Sequence, residues 1–501
     1  MQKNKSYKII LSISIISSIV LFNGCKKDSN DSNNKGKEYL GEGCTIENTK
    51  GLDGYFVSPF GDSSNIGDSE NPISLEFALS KESPIHKDNK TIWVCPGAYK
   101  GLYTSYLKGS IDNKFIVSSI PNKRATIDTT KQLGENGKGG YALTIHYSSS
   151  WTNYIGLEVT SHDGKRVTEI NSYDNDITLN GGVNIHGSNV KVINFVVHDN
   201  VSGIDAWSDA IDSEIYGSMI YNNGWSAPGR GHGHAIYTQN KKGTRLITDN
   251  IIFFGFGTGI HAYTEGGQLK GFNVKNNVWF MTGASDERKS QRKDNCLIGG
   301  FQPIEDLVLD GNYGWSRGRG TRLGYVTNKN GVPFTNINTV VKNNVFNEQF
   351  ELAGTWNNIK SENNKFYSSI IRPELFTESV SDVFQKPTSD FDSYVSHNKY
   401  EDNRYRLTIY NWKETETVDV NLNKSSNKVS NDNFFLKDDK IEVYSVFDIY
   451  GEPIYKGIYD GVSVTIPMGS VNPPQPHGLN GITGDDNPGK EFGVFIVRKV
   501  N

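Results

Sequence analysis

Gly182-Val183-Asn184-Ile185-His186, Gly203-Ile204-Asp205-Ala206-Trp207, Ala235-Ile236-Tyr237-Thr238-Gln239 and Gly259-Ile260-His261-Ala262-Tyr263 align without gaps. Their starts differ by 21, 32 and 24 residues (203−182, 235−203, 259−235), so each reads as one strand per turn of a repeating coil. Within a strand, alternate side chains face opposite sides. Val183 and Ile185, Ile204 and Ala206, Ile236 and Thr238, Ile260 and Ala262 then point into the coil. The other face carries Asn184 and His186, Asp205 and Trp207, Tyr237 and Gln239, His261 and Tyr263. With neighbouring strands roughly 4.8 Å apart, this face is a ladder about 15 Å long, a span suited to several sugar rings. Outward rows in such coils are often plain asparagine ladders or solvated polar rows. Six residues of the ladder, His186, Asp205, Trp207, Tyr237, His261 and Tyr263, depart from that pattern, because exposed aromatic rings call for something to cover them.

Working outward, a second set of segments runs out of phase with the first. Asn194-Phe195-Val196-Val197, Asn250-Ile251-Ile252-Phe253, Asn277-Val278-Trp279-Phe280, Asn344-Val345-Phe346 and Asn364-Lys365-Phe366 recur, with degenerate copies at Ser218-Met219-Ile220-Tyr221 and Asn312-Tyr313. Their starts differ by 24, 32, 27, 35, 32 and 20 residues, uneven but centred on one coil length. Regular strands joined by variable loops are what a stacked coil permits, since insertions project without disturbing the core. A β-sandwich would instead show two-residue turns between alternating strands, which this region lacks.

The longest insertion between the ladder strands ends in Arg230-Gly231-His232-Gly233-His234 and enters directly before Tyr237, so it overhangs the ladder. Thr264-Glu265-Gly266-Gly267 leaves the ladder just after Tyr263. Arg317, Arg319 and Arg322, from a later coil, read as scattered surface arginines, the alternative being positive charge on one wall of the groove. Upstream, Pro72-Ile73-Ser74-Leu75-Glu76-Phe77-Ala78-Leu79 reads as a short amphipathic helix with Pro72 at its first position, followed by Thr91–Tyr99, a strand closed by a Pro96-Gly97 turn. A solenoid needs such a plug, because its end coil otherwise exposes core and strand edges. Beyond a linker over 376–401, the segments Tyr405–Ile409, Val418–Leu422, Ile441–Tyr444, Val462–Ile466 and Phe492–Ile496 alternate in period two and read as an antiparallel β-sandwich over 402–501.

The N-terminus bears on the compartment. Lys3, Lys5 and Lys8 precede an apolar run from Ile9 to Phe22, the n-region and h-region of a secretory signal over 1–24. Leu21-Phe22-Asn23-Gly24-Cys25 resembles a bacterial lipobox, which implies lipidation at Cys25, a tether over 25–50 and an outer-membrane or cell-surface lipoprotein. An oxidising compartment permits a disulfide between Cys44 and Cys95, and leaves Cys296 over. No Cys or His pair stands at zinc-ligand spacing, so no metal ligand is assigned from the sequence. Among 501 residues, 22% are charged and the formal net charge is −4, a balance that gives no basic surplus for nucleic acid. A monomer is expected.

Taken together, the coil over 51–375, its helical plug and the C-terminal sandwich resemble the right-handed parallel β-helix superfamily of extracellular carbohydrate-active proteins. The resemblance implies an all-β fold and a polysaccharide partner, without choosing the reaction. A lyase needs a base, and a group that neutralises the uronate carboxylate. His261 or Tyr237 is the candidate base, Tyr237 or His234 the proton donor, and Arg230, or a calcium ion held by Asp205 and its neighbours, the neutralising charge. His186, Trp207, Gln239, Tyr263, His232 and Glu265 are the candidate substrate-binding residues. A glycoside hydrolase would instead need two carboxylates flanking the bond, for which Asp205 with Glu265 or Asp209 is the best pair. A non-catalytic glycan-binding lipoprotein would keep the aromatic ladder without needing the histidines together.

Overall fold

The computed structural model describes residues 43–134, 139–171, 176–288, 294–423 and 433–500. The secretory signal, the lipobox ending at Cys25 and most of the tether lie outside the described residues. Within the last residues read as tether, Ile46–Thr49 forms one helical turn capped by Thr45, and Cys44 is bonded to Cys95 with their Cα atoms 5.1 Å apart. The bond spans 51 residues. Cys44→Ser is expected to cost about 2–4 kcal/mol of stability through loop entropy regained by the unfolded chain, read as a lowered denaturant midpoint.

Three columns of short parallel strands make the coil. The first runs from Tyr55–Val57 to Glu378–Val380. The second runs from Gly97–Lys100 through Val196–His198, Ile251–Phe253 and Val278–Phe280 to Lys365–Phe366. The third runs from Tyr103–Ser105 through Gly181–Ile185, Ile204–Ala206, Ile236–Thr238, Ile260–Ala262 and Cys296–Ile298 to Ile370–Ile371. Two long strands, Tyr313–Leu323 and Val345–Leu352, pass through both the second and third columns and join them into one sheet. The fold is thus a parallel β-helix, as the repeat implies.

Register in the third column follows the alternation. Asn184, Asp205, Tyr237 and His261 are successive partners, and the row continues to Leu297 and Arg322. Val183, Ile185, Ile204, Ala206, Ile236, Thr238, Ile260 and Ala262 are all buried inside the coil. Parity decides this outcome: a slip of one residue would turn each apolar set out to water.

At the corner before the second column stands a buried stack of asparagines, Asn250, Asn277, Asn312, Asn344 and Asn364. The Oδ1 of Asn312 accepts from the backbone N–H and the Nδ2 of Asn277, both at 3.0 Å, while its own Nδ2 donates to the Val274 carbonyl at 2.9 Å. Each neighbour repeats the pattern, so the corner's polar groups are satisfied without water. Ser218 holds the position one coil earlier, and Phe195 the one before that, its N–H donating to Ser218 Oγ at 3.2 Å. Asn194, which the repeat alignment equates with Asn250, therefore stands one residue early. It adopts a φ of 55° and donates to Glu401 Oε2 at 2.8 Å instead.

The plug also differs in detail. Its helix spans Leu75–Leu79, with Ser74 as the N-cap accepting from the Phe77 N–H at 3.2 Å. Pro72 is not the first helical residue: Ile73 is drawn into a parallel bridge with Val57, which leaves Ser74 to start the helix. Leu75, Ala78 and Leu79 close the end of the core.

The C-terminal sheet has five antiparallel strands in the order Phe391–His397, Arg404–Asn411, Phe492–Val500, Lys440–Ser445 and Tyr455–Ile458. Its first strand lies within the stretch read as linker. A two-stranded sheet, Thr417–Val420 with Val464–Pro467, shares a core with one face of it through Val395, Leu407, Val418 and Ile466. The other face packs on the coil. Phe253 stacks on Phe280 at 5.2 Å, and Phe492 meets Phe280 at 5.3 Å and Trp315 at 5.7 Å.

Candidate functional site

The ladder forms the floor of an open cavity of about 730 Å³. Arg230, His232, His234, Tyr237, Gln239, His261, Tyr263, Trp207 and Glu265 line it, as do Arg319 and Arg322 from the later coil. Asp205 and His186, both assigned to the same face, are not among the lining residues.

One wall is the predicted overhang. Trp225–Ala227 pairs antiparallel with Arg230–His232, a two-stranded hairpin rising from the coil, and the Trp225 and His232 rings stack at 4.9 Å. Its return to the ladder depends on glycine. Gly233 has a φ of 85°, and a Cβ on the facing Gly257 would lie 1.8 Å from the Gly233 carbonyl oxygen. That close passage delivers His234 to the ladder beside Tyr237.

Three rings meet on the floor. His261 Nδ1 lies 3.1 Å from His234 Nε2, and the ring centroids are 4.3 Å apart. Tyr237 is 5.6 Å from the His261 ring and 5.7 Å from that of His234. Burial, the neighbouring His234 and the Arg230 guanidinium together hold His261 well below the usual imidazole pKa. The neutral ring is therefore the resting form at neutral pH. Tyr263 stacks on His261 at 4.9 Å, and Gln239 Nε2 donates to Tyr237 Oη at 3.4 Å.

Aromatic faces continue along the row. Trp207 meets Tyr237 edge-on at 5.6 Å and donates Nε1–H to Asn184 Oδ1 at 2.7 Å. His186 lies parallel to Trp207, 6.2 Å away. It extends the ring row beyond the cavity.

Asp205 has a different environment from its neighbours. Its oxygens accept from Tyr141 Oη at 2.5 Å and Ser202 Oγ at 2.6 Å, and burial raises its pKa to about 6. Tyr141 reaches it across Gly181, where a Cβ would lie 2.3 Å from the tyrosine ring. Among the described residues no three His, Cys, Asp or Glu side chains are grouped to hold a metal. With both oxygens occupied by hydroxyls, Asp205 does not fit the calcium ligand that the sequence suggested. Of the two carboxylates considered as its partner, Asp209 is exposed at the surface and paired with Lys241, whereas Glu265 lines the cavity.

Several residues of the site carry no signal in the sequence. Arg245 is fully buried inside the coil and donates to the carbonyls of Trp207, at 2.9 Å, and Gln239, at 3.1 Å. It fixes the corner that presents both side chains. Burial lowers its pKa to about 9. Arg319 and Arg322 do line one wall, at 3.9 Å from Asp294 and 3.7 Å from Glu351, whereas Arg317 turns away to Glu491 at 2.5 Å.

Beneath that wall Glu348 is buried, accepting from Trp279 Nε1 at 3.0 Å, Asn295 Nδ2 at 2.6 Å and Thr321 Oγ1 at 2.7 Å. Burial outweighs these bonds and raises its pKa to about 7, from 4.5. A carboxyl with a raised folded pKa contributes stability at low pH that is lost as pH rises through the folded value. The stability of Glu348→Gln relative to wild type is thus expected to improve by about 3 kcal/mol as pH rises from 4.5 through 7, measured by urea unfolding along a pH series.

No protein-family model matches the chain, and no curated protein matches it. Solved structures with a similar path exist. A pectate lyase is 15% identical, with a TM-score of 0.44 over 68% of this chain and 84% of its own. A rhamnogalacturonan lyase is 14% identical, with a TM-score of 0.45 over 67% and 90%. A tailspike capsular polysaccharide depolymerase of the Acinetobacter baumannii bacteriophage Fri1 is 11% identical, with a TM-score of 0.37 over 89% and 84%. At these identities the likeness is one of fold.

Proposed function

We propose that the chain is a polysaccharide lyase that cleaves a uronate-containing polymer by β-elimination. The observation that carries this reading is the meeting of His234, His261 and Tyr237 beside Arg230 on the floor of an open cavity. Elimination removes the proton α to the uronate carboxylate, forms a carbon–carbon double bond and expels the glycosidic oxygen, which takes up a proton. With His261 Nδ1–H donated to His234, the Nε2 lone pair of His261 is left to accept the α proton. Tyr237 Oη–H supplies the proton to the leaving oxygen, and Arg230 stabilises the charge that develops on the carboxylate. Trp207 and Tyr263 offer faces to the flanking sugars. The hydrolase reading has less support, since Asp205 is engaged with Tyr141 and Ser202.

Incubation of the purified protein with acidic and neutral polysaccharides tests this. Ultraviolet absorbance from an unsaturated uronyl end supports elimination. New reducing ends without that absorbance would show hydrolysis, and binding with neither product a non-catalytic receptor.

The acid limb of kcat/KM is expected below pH 6.5, because the base must be neutral and its pKa is depressed. Arg230→Ala removes one cause of that depression. It should move the limb toward 6.5 and raise KM, which a pH–rate series reads directly. The same reading includes export, with which the Cys44–Cys95 disulfide is consistent, and anchoring at Cys25. Metabolic labelling with a fatty acid, abolished by Cys25→Ala, checks it.

A further inference from the structure

The cations of the cavity are unevenly spaced along the ladder. Arg230 stands close enough to His261 to depress its pKa, and among the described residues it makes no ion pair. The next outward position, one coil on from His261, is Leu297, an apolar residue in the cavity wall. One coil further, the row reaches Arg322, with Arg319 on the same wall. Arg230 reaches the ladder at His261 from the overhanging hairpin, and the wall arginines follow two coils on, about 10 Å away at strand spacing.

On the opposite side of the reacting rings the groove offers Trp207, and past it the parallel ring of His186, with Asn184 held by the Trp207 indole. None of these is a cation. A strand spacing is close to the length of one sugar unit, so successive sugars in the groove meet successive coils. A polymer with a carboxylate on every unit would set one against Leu297 and another against the Trp207 ring. A desolvated carboxylate facing an apolar wall is costly.

Resting on the elimination reading above, we infer that the substrate alternates uronate with an uncharged sugar. One uronate sits at Arg230 and His261, an uncharged unit spans Leu297 and Tyr263, and the next uronate meets Arg322 and Arg319. The two wall arginines keep donors for it. Their contacts to Asp294 and Glu351, at 3.9 and 3.7 Å, are longer than hydrogen bonds, so the guanidinium N–H groups are not spent on them. Arg322 also lies 5.0 Å from the Tyr325 ring, a flat platform beside the second uronate.

The test uses size-matched hexasaccharides of three kinds: a homopolyuronate, a uronate alternating with a neutral hexose or deoxyhexose, and a uronate alternating with an N-acetylhexosamine. Affinity is measured by calorimetry on full-length Tyr237→Phe, so that binding is read without turnover, and kcat/KM by unsaturated-end formation on wild type. At least one alternating hexasaccharide is expected to bind tenfold or more tighter than the homopolymer and to be cleaved with the same preference. Arg322→Ala should erase most of that preference. Leu297→Arg, in protein shown to fold by circular dichroism, should shift it toward the homopolymer.

Equal or tighter binding of the homopolymer overturns the inference, whatever is cleaved. An alternating ligand that is preferred in binding but yields no unsaturated product leaves the substrate class standing and sinks the elimination reading instead.

Discussion

Tyr237→Phe is expected to lower kcat by about 10²–10⁴-fold while leaving KM within about threefold, the signature of losing a group that moves a proton in the transition state. The phenylalanine keeps the ring that meets Trp207 and His261, so the groove's shape survives and only the hydroxyl is gone. His261→Ala should produce a loss of similar size. It also removes a ring stacked on Tyr263, so KM is expected to rise with it. The histidine of the overhang, His232, stacks on Trp225 rather than on the floor, and His232→Ala should cost no more than about tenfold. If His232→Ala loses activity while Tyr237→Phe retains it, proton transfer does not belong to Tyr237, and the hairpin holds the chemistry.

The largest expected effect on stability comes from the asparagine stack. In Asn312→Leu the Asn277 N–H and Nδ2 lose their acceptor, and the Val274 carbonyl loses its donor, all in a corner without solvent. Each buried polar group left unsatisfied costs about 1–3 kcal/mol, so a loss of about 3–5 kcal/mol is expected. Leucine adds apolar volume but cannot bridge coils. Equilibrium unfolding in urea measures the loss, and a change under about 1 kcal/mol would mean that the stack is ornament rather than the tie between successive coils.

Legibility in the amino-acid sequence divides along a physical line. Alternation of apolar residues determines parity, and parity determines which face each side chain takes, so Tyr237 and His261 are legible on the outside of the coil. So is the overhang of Arg230–His234, because an insertion must leave and re-enter at strand ends. Asp205 shows the limit. Its place in the row follows from parity, but its environment depends on Tyr141, 64 residues away, crossing a glycine. Arg245 and Glu348 are invisible for a related reason. A charged residue inside a coil has no periodic signature, and only the carbonyls and amides that converge on it explain its burial. The one-residue offset of Asn194 and the helix start at Ser74 rather than Pro72 are local competitions, decided by a single turn or bridge.

The aromatic flank beneath the C-terminal sheet bears on the order in which the molecule is made. Coils can stack as they leave the ribosome, each on the one before. The rings of Phe253, Phe280 and Trp315 stay bare until Tyr410 and Phe492 arrive, the latter 177 residues after Trp315 (492−315). From the emergence of Phe253 to that of Phe492, a nascent chain therefore carries a sticky stripe, a hazard for self-association. Truncation after residue 375 should yield aggregated coil rather than a smaller soluble protein. A host that produces this protein well must shelter that stripe until the strand Phe492–Val500 closes over it.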